Sequence, residues 1–372
     1  MFRLCFVPLL LASLSFSFPL GSSLGNIQKR DVPDFVRRYG RLHNYYFYYT
    51  RSKGAGWNQA LLTSYLHPAP LAYLCSSEIY FPSDIGAQIA HTYPEDGSGN
   101  TITPPAPLTL SNIDTLNSFS GGGTDVYLTS DEGIRALPSW FRGSRPQSDG
   151  STPSIVGCAV VTVSKPNGVL DAFYFYFYAY NQGNWVLGLP ALEFGDHVGD
   201  WEHTMVRFVD GAPTAVYYSQ HSGGEAFTYA ATQKGPDGVR PLVYVANGTH
   251  ANYAIPGPHD HTIPNLNTLA GPLTDHTDRG VLWDPVADAY VYGFDNATGV
   301  FEAYNGVDPV GWLNFAGSWG DNQLPDNTPG QIDVFGERKY VAGPTGPRDK
   351  GLTRTGVCPD GKSCTVRSVL VP

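Results

Sequence analysis

Charge is scarce in this chain, and positive charge is scarcest. Only 15% of the 372 residues are Asp, Glu, Lys or Arg, and 23 basic residues face 33 acidic ones, a formal net charge of −10. Residues 1–30 hold Arg3, Lys29 and Arg30 and no acid, so the remainder carries 20 basic against 33 acidic residues, a net charge of −13. Binding a polyanion through charge requires clustered Lys and Arg. Nucleic acid is therefore not expected as a partner, nor is an anionic membrane held by charge alone.

Long apolar runs are equally rare. Within Met1–Ser17 an early Arg3 precedes the apolar stretch Leu4–Leu14 and then small residues, the order of a secretory signal peptide. The run is shorter than the roughly 20 apolar residues that cross a bilayer. No later segment offers another, so no transmembrane segment is expected and the processed chain is read as soluble. Lys29-Arg30, before Asp31, offers a second, dibasic processing site.

Cysteine is sparse, and no CxxC occurs to suggest a thiolate metal site. Removal of Cys5 with the signal peptide leaves Cys75, Cys158, Cys358 and Cys364. Four cysteines in a secreted chain imply two disulfides from three connectivities. Cys358-Pro-Asp-Gly-Lys-Ser-Cys364 spans a turn and closes a small loop, which leaves Cys75 with Cys158. Two N-glycosylation sequons are present, Asn296-Ala-Thr298 in polar turn sequence and Asn247-Gly-Thr249 inside a strand-end motif.

Helical periodicity is scarce and no internal repeat is visible. The chain instead has 42 Gly, 30 Pro and 13% aromatic residues. Many short strands joined by turns fit this profile, so an all-β fold is expected: a β-sandwich of antiparallel strands with long Gly/Pro-rich loops and a few short helices. The expected organisation is a signal peptide at 1–17, an N-terminal portion at 31–150, a sandwich core at 151–345 and a disulfide-bearing tail at 346–372. Leu170–Tyr180 is the clearest strand, with Phe173, Phe175 and Phe177 on one face and Tyr174, Tyr176, Tyr178 and Tyr180 on the other. The Phe face suits the sandwich core, and the Tyr face a wetter groove or a second layer. Asp200–Val209 and Thr214–His221 flank a turn and read as a hairpin; Pro241–Ala246 reads as a buried strand. Ser83 is a candidate N-cap for a helix opening at Pro82–Ile85, and Asp131–Ile134 starts a short helical turn. Glu95–Pro107, Ser118–Thr124 and Gly143–Ser154 read as surface loops.

Against this low background, Phe194–His203 packs two imidazoles and three carboxylates into ten residues. Asp200 and Glu202, two apart in a strand, project from one face, and His197 enters from the preceding turn. With water, these three suit Mg²⁺, Mn²⁺ or Ca²⁺; adding His221 and His250 shifts preference toward Zn²⁺ or Mn²⁺. The bland alternative is a set of carboxylates on loop amides and buried, satisfied histidines. His259-Asp260-His261 and Asp275-His276-Thr277-Asp278, in Pro/Gly surroundings, read as solvated loop turns. Trp312 and Trp319 read as core. Ser219 beside His221 belongs to no G-x-S-x-G elbow, so it is not read as a nucleophile.

The motifs Gly199-Asp200-Trp201-Glu202-His203, Ser219-Gln220-His221-Ser222, Gly248-Thr249-His250-Ala251-Asn252-Tyr253 and Trp312–Asp321 resemble the vacuolar protein sorting-associated protein 62 family of fungi. Leu108–Asp114 and Val126–Ser130 fit as well, so the resemblance runs from about Pro70 to Cys358. It implies a role in delivery to the vacuole, with no established reaction or ligand. A more distant likeness, over about residues 170–255, is to the necrosis- and ethylene-inducing-peptide-like cytolysins, whose core motif is GHRHDWE. That likeness implies a secreted β-sandwich binding a divalent cation and a glycosylated sphingolipid. His197, Asp200 and Glu202 fall on the first His, the Asp and the Glu of that motif. Gly199 stands where the motif has its second His, and Asn181 is the nearest match to the Asp ending the preceding strand.

Three functions follow as expectations. The first is a non-enzymatic protein of the vacuolar lumen or secretory pathway, binding cargo through a cation-assisted polar pocket. The second is an extracellular effector binding a glycan or lipid headgroup, with Trp185 and Trp201 stacking on a sugar ring. The third is a metal-dependent hydrolase using His221 or His250 as base.

Overall fold

Two β-sheets stack on each other, and the larger one is covered on both faces. The computed structural model describes residues 68–261, 273–361 and 364–370; the signal-peptide and dibasic-site expectations, and the side chain of His261, lie outside the described residues. The strands of the two sheets are, in chain order, β1 (Leu71–Leu74), β2 (Cys158–Ser164), β3 (Val169–Asn181), β4 (His197–Val209), β5 (Ala212–Gln220) and β6 (Gly223–Thr228). They continue with β7 (Leu242–Val245), β8 (Asn252–Tyr253), β9 (Val281–Trp283), β10 (Ala289–Asp295), β11 (Val300–Ala303) and β12 (Val366–Arg367). Eight strands form one sheet in the order β11-β10-β2-β3-β4-β5-β6-β12, and four form the other in the order β8-β7-β1-β9. The fold is an all-β sandwich with short helices. Its pairing is mainly antiparallel, but β10 with β2, β6 with β12, and β1 with β7 run parallel.

Alternation in β3 sets the layers. Tyr174, Tyr176 and Tyr178 are buried with Val206 and Val216 against Leu74, Val243, Val245 and Trp283 of the small sheet. Phe173, Phe175 and Phe177 pack instead on Ile85, Ile113, Leu128, Trp312, Phe315 and Trp319. The Tyr face is therefore the dry interface between the sheets, not a wet groove, and the Phe face lies under helical and loop segments. Burying a large aromatic side chain stabilises by about 1.5–3 kcal/mol, so both faces contribute to the core. Trp312 and Trp319 are core, as expected.

β4 and β5 are joined by Asp210-Gly211, both at positive φ (48° and 84°), the two-residue turn whose twist suits a hairpin. Helix α1 (Ile85–Ala90) is capped by Asp84, whose Oδ1 accepts from Ala87 N at 2.8 Å, so the cap is one residue later than Ser83. Asp131–Ile134 leads into one 3₁₀ turn at Ile134–Ala136, as expected. Part of the Glu95–Pro107 stretch joins a ribbon, Thr92–Asp96 against Val126–Ser130.

Cys358 and Cys364 are disulfide-bonded, but Cys75 and Cys158 are free thiols. Cys75 follows β1 of the small sheet and contacts Ser77 Oγ, whereas Cys158 opens β2 in the large sheet. Each is buried in its own packing environment, which corrects the expected second bridge.

Candidate functional site: an acidic cleft at the open half of a strand

β4 pairs with β3 along nearly its whole length, but its ladder with β5 runs only from Thr204↔Tyr218 to Val209↔Ala212. Residues 197–203 therefore have a sheet neighbour on one side. His203 N donates instead to Ser219 Oγ at 2.8 Å. A cleft of ≈1090 Å³ opens there. Gly199 makes the entry of β4 possible: its φ is +66°, and a Cβ would lie 2.2 Å from the Trp319 carbonyl oxygen.

Asp200 lies opposite Tyr178 and Glu202 opposite Tyr176, so both carboxylates leave the same face, as the alternation predicts. Both are buried and both line the cleft. Their charge states diverge. Burial works to raise the Asp200 pKa, but hydrogen bonds from His197 and His250 outweigh it and hold the carboxyl well below its usual range. Glu202 hydrogen-bonds with Ser219 Oγ. Its pKa is pushed up to about 8, first by burial and then by the Asp200 charge.

His250 is fully buried and stacks on Tyr178 with ring centroids 3.7 Å apart. Its Nδ1 lies 3.0 Å from Asp200 Oδ2 and its Nε2 lies 3.0 Å from the Tyr80 carbonyl. The Glu78 carboxylate is a further 3.8 Å contact at Nε2. With acceptors at both nitrogens, the ring is built to be an imidazolium; burial opposes the charge and Asp200 and Glu78 raise its pKa. His250 thus serves as a buried counter-ion rather than a cation ligand.

His197 sits at the start of β4, with Nδ1 2.9 Å from the Gly195 carbonyl and Nε2 3.5 Å from Asp200 Oδ1. His221, at φ 50°, lines the cleft, and its Nε2 lies 2.8 Å from Asp275 Oδ2. Asn181 is buried beside the same cleft and donates from Nδ2 to the Gly195 carbonyl at 3.0 Å. Thus Asp200, Glu202, His197, His221 and Asn181 share one cleft, whereas His250 lies behind it. Among the described residues no three His, Cys, Asp or Glu side chains converge as a ready-made metal cage.

Several functional groups escaped the sequence reading. Asp275 is wholly buried, and its carboxylate accepts from Asn184, Thr249 and Tyr253 at 2.7–2.9 Å besides meeting His221. The stretch expected to be solvated turns is a hairpin, Gly257–His261 against Leu273–Thr277, that turns Leu273, Asp275 and Thr277 inward. Inward alternation of Leu, Asp and Thr was the available signal. Glu78 ties the loop together, accepting from Ile79, Tyr80 and Gly248 amides at 2.6–2.8 Å. Trp201 is buried against Trp312 and Trp319, so it is core and offers no ring to a sugar. Trp185 is exposed and donates to Glu193 Oε1 at 3.0 Å. Two hairpins form the lips of the cleft, with apolar tips Leu187 and Phe335, both 74% exposed and both at positive φ.

These features define a class: a β-sandwich with an acidic cleft where one long strand outruns its neighbour. The sequence model of the vacuolar protein sorting-associated protein 62 family matches residues 170–327. The chain is 37% identical over 320 residues to the putative vacuolar protein sorting-associated protein TDA6 of Saccharomyces cerevisiae, covering 79% of this chain and 67% of that one. To vacuolar protein sorting-associated protein 62 of the same yeast it is 35% identical over 317 residues, covering 78% and 66%. The chain belongs to the vacuolar protein sorting-associated protein 62 family, and spans about two thirds of the length of each relative. Solved structures similar over part of the chain include necrosis and ethylene inducing protein 2 from the agent of cocoa's witches' broom disease, at 13% identity and TM-score 0.26 over 56% of this chain and 70% of that one. Another is the non-toxic HaNLP3 protein, at 14% identity and TM-score 0.27 over 66% and 79%. Among the described residues no helix is long and apolar enough to cross a membrane.

Proposed function

We propose that this family member is a non-enzymatic recognition protein of the secretory pathway. Its acidic cleft binds a divalent cation, and through it the hydroxyls of a glycan carried by cargo bound for the vacuole. One observation carries the reading: two buried carboxylates, Asp200 and Glu202, side by side in an open cleft, one ionised and the other raised to about 8. Like charges this close leave one of them protonated unless a cation replaces the proton.

The donor set fits a hard cation. Carboxylate oxygens of Asp200 and Glu202 would hold it, with His197 at the rim. His250 has both nitrogens engaged and His221 is hydrogen-bonded to Asp275, so the imidazoles that would favour Zn²⁺ drop out. Mg²⁺, Ca²⁺ or Mn²⁺ remains. Bound there, the ion would neutralise the pair and offer sites to sugar oxygens.

Metal content of the purified protein by mass spectrometry, with calorimetric titration of Mg²⁺, Ca²⁺ and Mn²⁺, tests this. The expected result is one equivalent bound to the wild type and none to Asp200→Asn/Glu202→Gln. Equal binding by a folded double variant, or no binding by either, would overturn the cation reading. Cell fractionation addresses the sorting role: a protein wholly in the medium, with no vacuolar defect on deletion, would contradict it.

A further inference from the structure

One end of the cleft carries surplus positive charge, which is unexpected in a chain of net charge −10. Asp171, fully buried, is bound by the Arg207 guanidinium at 2.7 Å through two nitrogens and also by Lys165. Arg354 lies beside them, buried between the rings of Phe173 and Tyr217 at 4.9 and 5.0 Å. It donates to the carbonyls of Gly351 and Lys350 and lies 3.2 Å from His203 Nε2, and no carboxylate of the described residues forms an ion pair with it. Lys350 stands four residues earlier on the same segment, half-buried in the cleft wall. Its ammonium makes no hydrogen bond or ion pair with any described residue.

Three other groups sharpen the picture. Arg338, a further cation on the cleft wall, is neutralised by Asp326 and Asp333. Asp349 and Asp360 also line the cleft but are exposed, where solvent screens them. A half-buried ammonium loses hydration, and natural structures rarely leave that loss uncompensated.

We propose that the Lys350 end of the cleft binds an oxyanion, phosphate or carboxylate, carried by the same saccharide whose hydroxyls meet the Asp200–Glu202 end. The inference rests on the glycan reading above and deepens it: the ligand is an anionic sugar. The cleft then has two electrostatic halves, a carboxylate end that takes a cation with hydroxyls and an ammonium end that takes an anion. Opposite potentials in one groove fix the orientation of a ligand bearing both features. Lys350 is a specificity-determining residue, and Arg354 supports it by raising the local potential while anchoring the segment.

Calorimetric titration of the full chain with mannose, mannose 6-phosphate and glucuronate, in the presence of Ca²⁺, tests the proposal. The charged sugars are expected to bind about tenfold more tightly than mannose, the advantage of one charge-assisted hydrogen bond. Lys350→Gln should erase that advantage and leave thermal stability nearly unchanged, since the ammonium makes no hydrogen bond or ion pair with a described residue. Phosphate and carboxylate sources are separated by which of the two sugars shows the effect. Equal binding of mannose and both charged sugars would overturn the anion site while leaving the glycan reading standing. Tight charged-sugar binding that survives Asp200→Asn/Glu202→Gln but not Lys350→Gln would establish the anion site and remove the cation reading. No binding of any sugar overturns both.

Discussion

His250 bridges two acidic groups from distant parts of the chain: its Nδ1 is 3.0 Å from Asp200 Oδ2 and its Nε2 is 3.8 Å from Glu78 Oε2. The His250 backbone is held at φ 55°, in the left-handed region that a non-glycine residue occupies only under constraint from its surroundings. The relationship fixes the Asp200 carboxylate in the cleft and, together with His197, holds its pKa down against burial.

Removing that ring takes the closest cationic partner from Asp200 and the 3.8 Å contact from Glu78, leaving them His197 and three backbone amides respectively. His250→Ala is expected to destabilise the fold by about 3–5 kcal/mol, the usual consequence of breaking a buried ion pair from one side. Urea denaturation of the two proteins measures it. A loss under 1 kcal/mol would mean that Asp200 and Glu78 are solvated or protonated without His250.

The Glu202 carboxyl gives a pH dependence with a definite sign. Its folded pKa, about 8, lies above the ordinary value of 4.5. The native state therefore binds a proton more tightly than the unfolded chain. Its contribution to stability is full below about 4.5 and is lost as the pH rises through about 8, in cation-free buffer. Melting temperature should fall between pH 5 and pH 8, and Glu202→Gln should flatten that slope. Added Ca²⁺ should restore the wild type most at high pH, where the proton no longer competes.

Asp275 determines the state of His221. Partial desolvation in the cleft disfavours charge on that imidazole, which keeps 35% of its side-chain surface exposed, and the Asp275 carboxylate more than offsets it, so the His221 pKa is raised. Asp275→Asn should bring the His221 titration down, as followed by NMR, and lower stability by about 1–3 kcal/mol, because the amide keeps only one of the two oxygens that accept from Thr249 and Tyr253. An unchanged titration would place the origin of the raised value elsewhere.

The two sequons differ in their surroundings. Asn296 is exposed in the β10–β11 turn. Asn247 is partly buried, its Oδ1 accepts from Ser77 Oγ at 3.1 Å, and the Thr249 hydroxyl is held by Asp275 at 2.7 Å. Glycan should be found on Asn296 and not on Asn247. Peptide mapping of the protein from a glycosylating host, before and after glycosidase, decides it; a glycan on Asn247 would require a rearranged Asp275 hairpin.

The sequence by itself determined a good deal here. Strict alternation through β3 and β4 set which side chains share a face, and it placed Asp200 with Glu202. Turn chemistry at Asp210-Gly211 and the short Cys358–Cys364 loop were equally legible, because each depends on neighbours a few residues apart. Only the tertiary structure decided what covers each face. Nothing local tells that the Tyr face of β3 meets the small sheet, that Cys75 follows the small sheet while Cys158 opens a strand of the large one, or that His250 reaches Asp200 across fifty positions. Asp275, His221 and Lys350 gained their roles in the same way. A buried charge is defined by which distant group approaches it, and that is set by packing rather than by the alternation that carries it there.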